Sequence, residues 1–451
     1  QVFVVTSYLI AQTIAIPVFG KLSDRFGRRS FYLFGLAVFL SGSAMSGLSQ
    51  NLDQLILFRA VQGLGSGAFF TVVFSIVADL FPPKAAARLA GILSGVFGIA
   101  IVFGPLIGSY IIDTTSWRWI FFVNLPVGVA AIALVLLTIR PIRAPPSPHA
   151  FDTLGAGLLS AWVGALVFAL VETSQGGWAW TDQRTLGLLG FTAATFPAFL
   201  WVEARAPDPI VPLKYFYRRL VAASSGVNFL RGAILTGVVT FVPILVQQGL
   251  GGNPDAGRNI LYAFMIPMIV GAALGGQLVS RVGYRPPVVA GLALASAGVL
   301  LLGLVPLTPP IFRFVAGVVP VGLAGALVPL GLGVGLTFAP TQLAIQYSVP
   351  RSEVGTGNSL VWFLGNLGGS IVVSLLASYQ LTVFDAQRAA WPAIPTATIV
   401  AHSVAFSIQS VWFALVPVAF LALLFGVVVA GRLPTTLPDP EAIAEPVPGM
   451  L

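Results

Sequence analysis

Long stretches of this chain run without a single charge, among them Leu89 to Ile112, Val354 to Phe384 and Ser403 to Gly431. Each exceeds the ~20 residues a helix needs to cross ~30 Å of hydrocarbon. A soluble core cannot bury many helices that are apolar all round, whereas lipid solvates them. Lipid also forces each segment to satisfy its own backbone N–H and C=O groups, which a helix does. Charged residues make up 8% of the 451, apolar residues 57%, and mean hydropathy is +0.94. The expected fold class is an all-α membrane protein.

The net charge of +8 does not point to nucleic acid, because no basic soluble domain accompanies it. In a membrane protein, such an excess reflects loop arginines that set orientation. There is no Cys, and the two histidines are His149 and His402, so no thiolate or histidine metal site is expected and no cofactor is implied. An enzyme acting on lipid phosphates would need clustered carboxylates or His and Asp, and no such cluster is present. A sensor would append a soluble domain, but the longest soluble stretch is the Pro- and acid-rich tail from Leu433, expected to be disordered.

Apolar runs between Pro, Gly and charge clusters predict thirteen spans: 2–20, 31–49, 54–78, 87–112, 119–139, 153–172, 185–203, 220–247, 258–280, 287–305, 311–340, 354–381 and 403–431. The chain opens at Gln1 straight into an apolar run, which reads as the second helix of a bundle whose first lies upstream. Alternating the spans puts sixteen Lys and Arg residues on one side, from Lys21 to Arg432, and five on the other. The positive-inside rule assigns the richer side to the cytoplasm, with the C-terminus there and a multi-pass location in the cell (inner) membrane.

Gly20-Lys-Leu-Ser-Asp-Arg-Phe-Gly-Arg-Arg29 aligns without gaps on Gly276-Gln-Leu-Val-Ser-Arg-Val-Gly-Tyr-Arg285. Each follows a long apolar run and is read as a cytoplasmic loop. The repeat suggests two parallel halves in one chain, a known transporter architecture. Residues 1–139 would be one half and 220–432 the other. Between them, 140–219 would hold a Pro-rich linker and two additional helices, and 433–451 the tail.

The first copy, GKLSDRFGRR, resembles the loop signature between the second and third helices of the major facilitator superfamily. There Gly20, Asp24, Arg25, Gly27, Arg28 and Arg29 would form a latch that shuts the cytoplasmic side in the outward-facing state. Ser280 replaces Asp24 in the second copy, so that latch should be weaker. Arg59-Ala-Val-Gln-Gly-Leu-Gly-Ser-Gly-Ala68 resembles the family's fourth-helix signature, whose Arg is implicated in proton transfer; it could instead snorkel to headgroups. Gly95 to Gly108 resembles the antiporter signature of the fifth helix, with Gly104, Pro105 and Gly108 at its kernel and Ala100 and Ser109 departing from it. Trp117 to Gly128 and Pro243 to Gly257 are similar to segments of the fourteen-helix drug:proton antiporters, so the resemblance covers essentially the whole chain.

This resemblance implies a proton-coupled exporter of hydrophobic or amphiphilic compounds, working by alternating access as a monomer in the lipid bilayer, with protons and a small amphiphile as partners. The alternative is an exporter or facilitator of a specific metabolite, lipid or siderophore. Candidates for lining a central cavity are Tyr8, Gln12, Arg59, Gln62, Asn228, Arg231, Tyr262, Met265, Trp362 and Asn366, though a lone Asn or Gln could equally satisfy a neighbouring helix. A second buried cation, Arg231, hints at neutral or anionic substrates. Asp53, Asp79, Asp113, Glu172 and Glu203 fall near span ends and are read as solvated or capping.

Overall fold

The computed structural model describes residues 2–139, 150–174, 177–305, 321–390 and 396–429. Among these there are fourteen α-helices, and no strand. They are α1 Val2–Phe26, α2 Arg28–Leu48, α3 Leu52–Leu80, α4 Pro83–Thr114, α5 Trp119–Phe122, α6 Asn124–Thr138, α7 Thr153–Ser174 and α8 Gln183–Glu203. After a 3₁₀ turn, Leu213–Tyr217, come α9 Arg219–Ile244, α10 Pro254–Val282, α11 Arg285–Leu304, α12 Val321–Gln346, α13 Val354–Ala390 and α14 Thr396–Val428. Twelve segments are long and apolar enough to cross a membrane, α5 and α6 counting as one segment, Trp119–Thr138. Helix α4 has 32 residues; several of its side chains lie outside the described residues. So do the linker at 140–149, the start of the span read at 311–340, and the tail at 433–451.

The segments read as loops at 20–29 and 276–285 are largely helical. Helix α1 continues to Phe26, α2 starts at Arg28, and one residue, Gly27, makes the corner at φ 89°. Gly283 makes the equivalent corner between α10 and α11 at φ 86°. Side chains other than glycine rarely adopt that conformation, which explains why the repeat keeps Gly at this register. The end of the bundle holding both corners is called here the Gly27 end.

Packing repeats along the chain. Helix α3 packs on α1 and α2, and α12 packs on α10 and α11. Two long crossings join α1–α6 to α9–α14: α1 against α13, and α4 against α10. Both close on glycine. A Cβ on Gly20 would lie 2.5 Å from Ser359 Cβ and 2.8 Å from the Gly355 carbonyl, and one on Gly276 would lie 2.7 Å from the Ala87 carbonyl and 2.8 Å from Gly91 Cα. Lipid tails are as apolar as the helices, so hydrophobicity does not drive association; close backbone approach at small residues does. Helices α7 and α8 form a hairpin whose Trp162 packs edge-on to Phe196 and at a tilt to Phe199, and reaches Phe363 of α13.

Local chemistry sets the other corners. Asn253 caps α10 by accepting the Ala256 N–H at 2.8 Å, with Pro254 at the first helical position. Pro243 lacks a backbone donor near the end of α9, and the chain widens into a π-turn at Leu245–Gly249. Arg118 donates to the Ser49 carbonyl at 3.0 Å, tying the start of α5 to the end of α2.

Gly276→Leu should lower stability by about 1–3 kcal/mol, because the added atoms meet backbone rather than a movable side chain. Gly187→Leu, where nothing lies within 4 Å, should cost nothing comparable. Thermal unfolding of both purified variants in detergent checks this.

Candidate functional site

The densest polar cluster joins α1, α2, α3 and α13 at the Gly27 end. The carboxylate of Asp24, in the last turn of α1, accepts the N–H of Gly355 at 2.8 Å and of Thr356 at 2.7 Å, and the Thr356 hydroxyl at 2.9 Å. It thereby caps the first turn of α13, where free N–H groups and the helix dipole favour an anion. Arg28 donates from Nη1 to Asp24 at 2.7 Å and from Nε to Asp79 of α3, while its Nη2 reaches the Arg351 carbonyl at 3.3 Å. Asp79 is thus a member of the cluster rather than a solvated span end. Arg29 takes a separate route, donating to the Leu136 carbonyl of α6. Ser280, the counterpart of Asp24, turns back to the Gln277 carbonyl of its own helix. The α4–α10 crossing packs Gly276 on Gly91 and adds a bond from Arg258 to the Ser109 hydroxyl at 3.2 Å, with no carboxylate cap among the described residues.

The segment before α9 braces the same place. Tyr215 donates to Glu353 at 2.8 Å, Arg218 donates to the Ser348 carbonyl at 2.8 Å, and Lys21 of α1 pairs with Asp208. Burial, then the Glu353 carboxylate, raises the Tyr215 phenol above its ordinary pKa, so it remains a donor throughout the physiological range.

Further from the Gly27 end, polar and aromatic side chains continue across α3, α9, α12 and α13. Asn358 donates to Ser75 at 2.9 Å and accepts from Gln342 at 2.6 Å. Trp362 then packs between Phe74 and Phe338, with centroids 6.0 and 6.2 Å away. The Arg231 guanidinium lies 3.8 Å from the centre of the Phe338 ring and donates to Thr341 at 3.2 Å, whose hydroxyl oxygen is 3.0 Å from Asn228 Oδ1. No carboxylate pairs with Arg231 among the described residues.

Arg59, Tyr8 and Gln62 also come together. The Arg59 guanidinium stacks 4.2 Å from the centre of the Tyr8 ring and donates to Gln62 Oε1 at 2.7 Å and to the Val4 carbonyl at 3.3 Å. Gln62 passes the contact on to Ser43 at 3.2 Å, which Asn124 also reaches at 3.1 Å. Gln12 is buried one turn beyond Tyr8. Met265 is buried on α10, Tyr262 leaves its hydroxyl without a partner, and Asn366 is half-buried on α13. Gly104 and Gly108 meet no neighbour within 4 Å, while Gly91 and Gly95 of the same helix do face α10. The side chain of Pro105 lies outside the described residues.

A cavity of about 620 Å³ opens between α1, α7, α9 and α13, toward the end opposite Gly27. Its polar groups are uncharged and include Thr6, Thr236, Thr240, Ser370, Ser374 and Gln380. None of the cavity candidates named from sequence lines it. Hydroxyls on an apolar helix read as ordinary packing, so no sequence signal marks these residues. No group of three or more His, Asp or Glu side chains that could hold a metal occurs among the described residues.

The sequence profile of the Major Facilitator Superfamily matches residues 2–373. The chain belongs to that superfamily. It is a multi-pass membrane transporter, and not an enzyme. It is 33% identical over 375 residues to the multidrug transporter protein MdtP of Bacillus subtilis, covering 83% of this chain and 67% of that one. Multidrug resistance protein 3 of the same organism is 34% identical over 382 residues, covering 85% and 72%. Among solved structures, the proton:xylose symporter XylE superposes with a TM-score of 0.64 at 15% identity, covering 98% of this chain and 89% of that one.

Asp24→Asn removes the charge from four hydrogen bonds, a loss of about 1.5–3 kcal/mol. A cysteine in place of Ser359, fully buried against Gly20, reports on it in this cysteine-free chain. Its maleimide labelling should be at least about tenfold faster in the Asp24→Asn background, since ~1.4 kcal/mol is tenfold.

Proposed function

We propose that this transporter is a proton-coupled exporter of hydrophobic or amphiphilic compounds, working by alternating access between two six-helix halves, with the α7–α8 hairpin inserted between them in sequence. The observation that carries the reading is the Asp24 cap on α13, which fastens the halves at one end while the cavity lies toward the other. The Gly27 end bears most of the basic residues and is taken as cytoplasmic. The conformation described is then outward-facing, and the C-terminus is cytoplasmic.

The names of the two Bacillus relatives support an amphiphilic cargo, and the Gly104-Pro105 signature favours export over uptake. Thirteen spans, with α4 among them, fit the fourteen-helix antiporter branch. Arg59 is the proposed proton-coupling residue. It is half-buried with no carboxylate partner among the described residues, so a passing anion, or a carboxyl group losing its proton nearby, would move a charge that costs several kcal/mol to hold there. Arg231 and the aromatic trio of Phe74, Phe338 and Trp362 would form the floor of the substrate path above the latch. The protein is expected to work as a monomer.

Proteoliposomes bearing a proton gradient and a lipophilic dye test the proposal. The wild type should expel the dye against its gradient and stop when the proton gradient is collapsed. Arg59→Ala should abolish efflux with expression and unfolding midpoint retained; unchanged efflux would remove Arg59 from the coupling role.

A further inference from the structure

Glu203 is the last residue of α8 and only 2% exposed. Its Oε2 accepts the Val211 N–H at 3.1 Å, while its Oε1 is buried without a partner. Asp152 precedes α7, and its Oδ1 accepts the Gly155 N–H at 2.7 Å, while its Oδ2 is also buried without a partner. The two idle oxygens face the same gap. A Cβ on Gly155 would sit 3.0 Å from Glu203 Oε1 and closer still to Asp152 Oδ2.

The Glu203 carboxylate is buried and Asp152 is half-buried with its Oδ2 enclosed, so two anions facing each other here would combine repulsion with lost hydration. One proton between them resolves both problems: it supplies the missing donor to the oxygen that lacks one. Its owner follows from the helices. Asp152 precedes α7 and caps it through Oδ1, which leaves Oδ2 as the acceptor; Glu203 stands at the end of α8, where the dipole disfavours a charge. We propose that Asp152 and Glu203 form a proton-binding site at the base of the α7–α8 hairpin, in which neutral Glu203 donates from Oε1 to Asp152 Oδ2.

The site is mechanically joined to the latch. Val211, held by Glu203, belongs to the segment whose Asp208 pairs with Lys21 of α1 and whose Tyr215 holds Glu353, next to the turn that Asp24 caps. The charged groups facing the pair from neighbouring elements are Lys21 on α1, already engaged, and its partner Asp208. Arg205 is turned away onto the Trp201 ring at 4.3 Å, and Glu353 ahead of α13 is taken up by Tyr215 and Lys214. Loss of the proton leaves two like charges in the gap, parts the start of α7 from the end of α8, and slackens the segment that braces α13. The proton site rests on the alternating-access reading, but not on protons being the driving ion.

Infrared titration of the purified full chain reads the proton directly. The wild type should show a protonated-carboxyl C=O band persisting to neutral pH, absent in Glu203→Gln and shifted in Asp152→Asn. The amide introduced by Glu203→Gln can still accept from Val211 and donate to Asp152, so the variant should fold and mimic the protonated pair. Labelling of the cysteine at position 359 should then rise at least about tenfold with pH in the wild type, across the same range over which the band disappears, and stay flat in Glu203→Gln. Identical infrared spectra for wild type and Glu203→Gln overturn the proton site; a pH-dependent labelling rate unaffected by Glu203→Gln overturns its link to the latch. Dye efflux measured in parallel separates these from transport: a wild type that titrates and opens but never moves dye faults the exporter reading and leaves the proton site intact.

Discussion

The carboxylate of Asp24 holds the first turn of a helix that begins more than three hundred residues away in sequence. Much of the closed end depends on it. In a bundle solvated by lipid, apolar surface gives helices little reason to prefer one another over the surroundings. Contact must come from backbone approach at glycine and from polar groups that find partners only in one arrangement. Asp24 provides both, since it bonds to Gly355 and Thr356 where Gly20 is pressed against Ser359. Arg28 extends the grip to Asp79, so the closed end is a network rather than a single pair. Such a network is lost cooperatively, which suits the two discrete states that the proposed alternating access requires.

The two crossings are alike in geometry and unlike in chemistry. Both place glycine against backbone, but among the described residues the α4–α10 crossing carries no carboxylate cap where the α1–α13 crossing does. On the alternating-access reading, the bundle would pivot on one side and latch on the other. The α7–α8 hairpin stands beside the latched side, with Trp162 on Phe363, and the segment leaving it is tied to α1 and α13 by side-chain bonds. An inserted hairpin in that position can sense or bias the latch without lining the path itself.

Much of this is legible in the sequence, and the reasons for the gaps are physical. Charge-free runs mark the helices, because a lipid-solvated backbone leaves little else for them to form. Glycine at the same register of the repeat anticipates the two positive-φ corners at Gly27 and Gly283. Arg59 and Gln62 are three apart on one helix, so their contact needs no tertiary knowledge. Partners distant in sequence are invisible. Asp79 reads as a solvated span end, yet its partner lies fifty-one residues upstream. Glu203 looks equally ordinary, because nothing local shows that Asp152 shares its gap. The stretch read as a loop at 20–29 is helix up to Phe26, since its charges find partners within the fold and need no solvated loop. The cavity escapes notice because Thr and Ser on apolar helices mark packing as readily as a wet surface.

On the alternating-access reading, the Gly27 end is a latch with a closed and an open state. Spin labels on cysteines at Ser30 of α2 and Val282 of α10, both exposed at that end, measure it most directly in nanodiscs by double electron–electron resonance. A latch predicts a short distance dominating at rest and a second, longer population when an amphiphilic cargo is added from the side taken as cytoplasmic. One unchanging distance under every condition, with efflux still running, would contradict it.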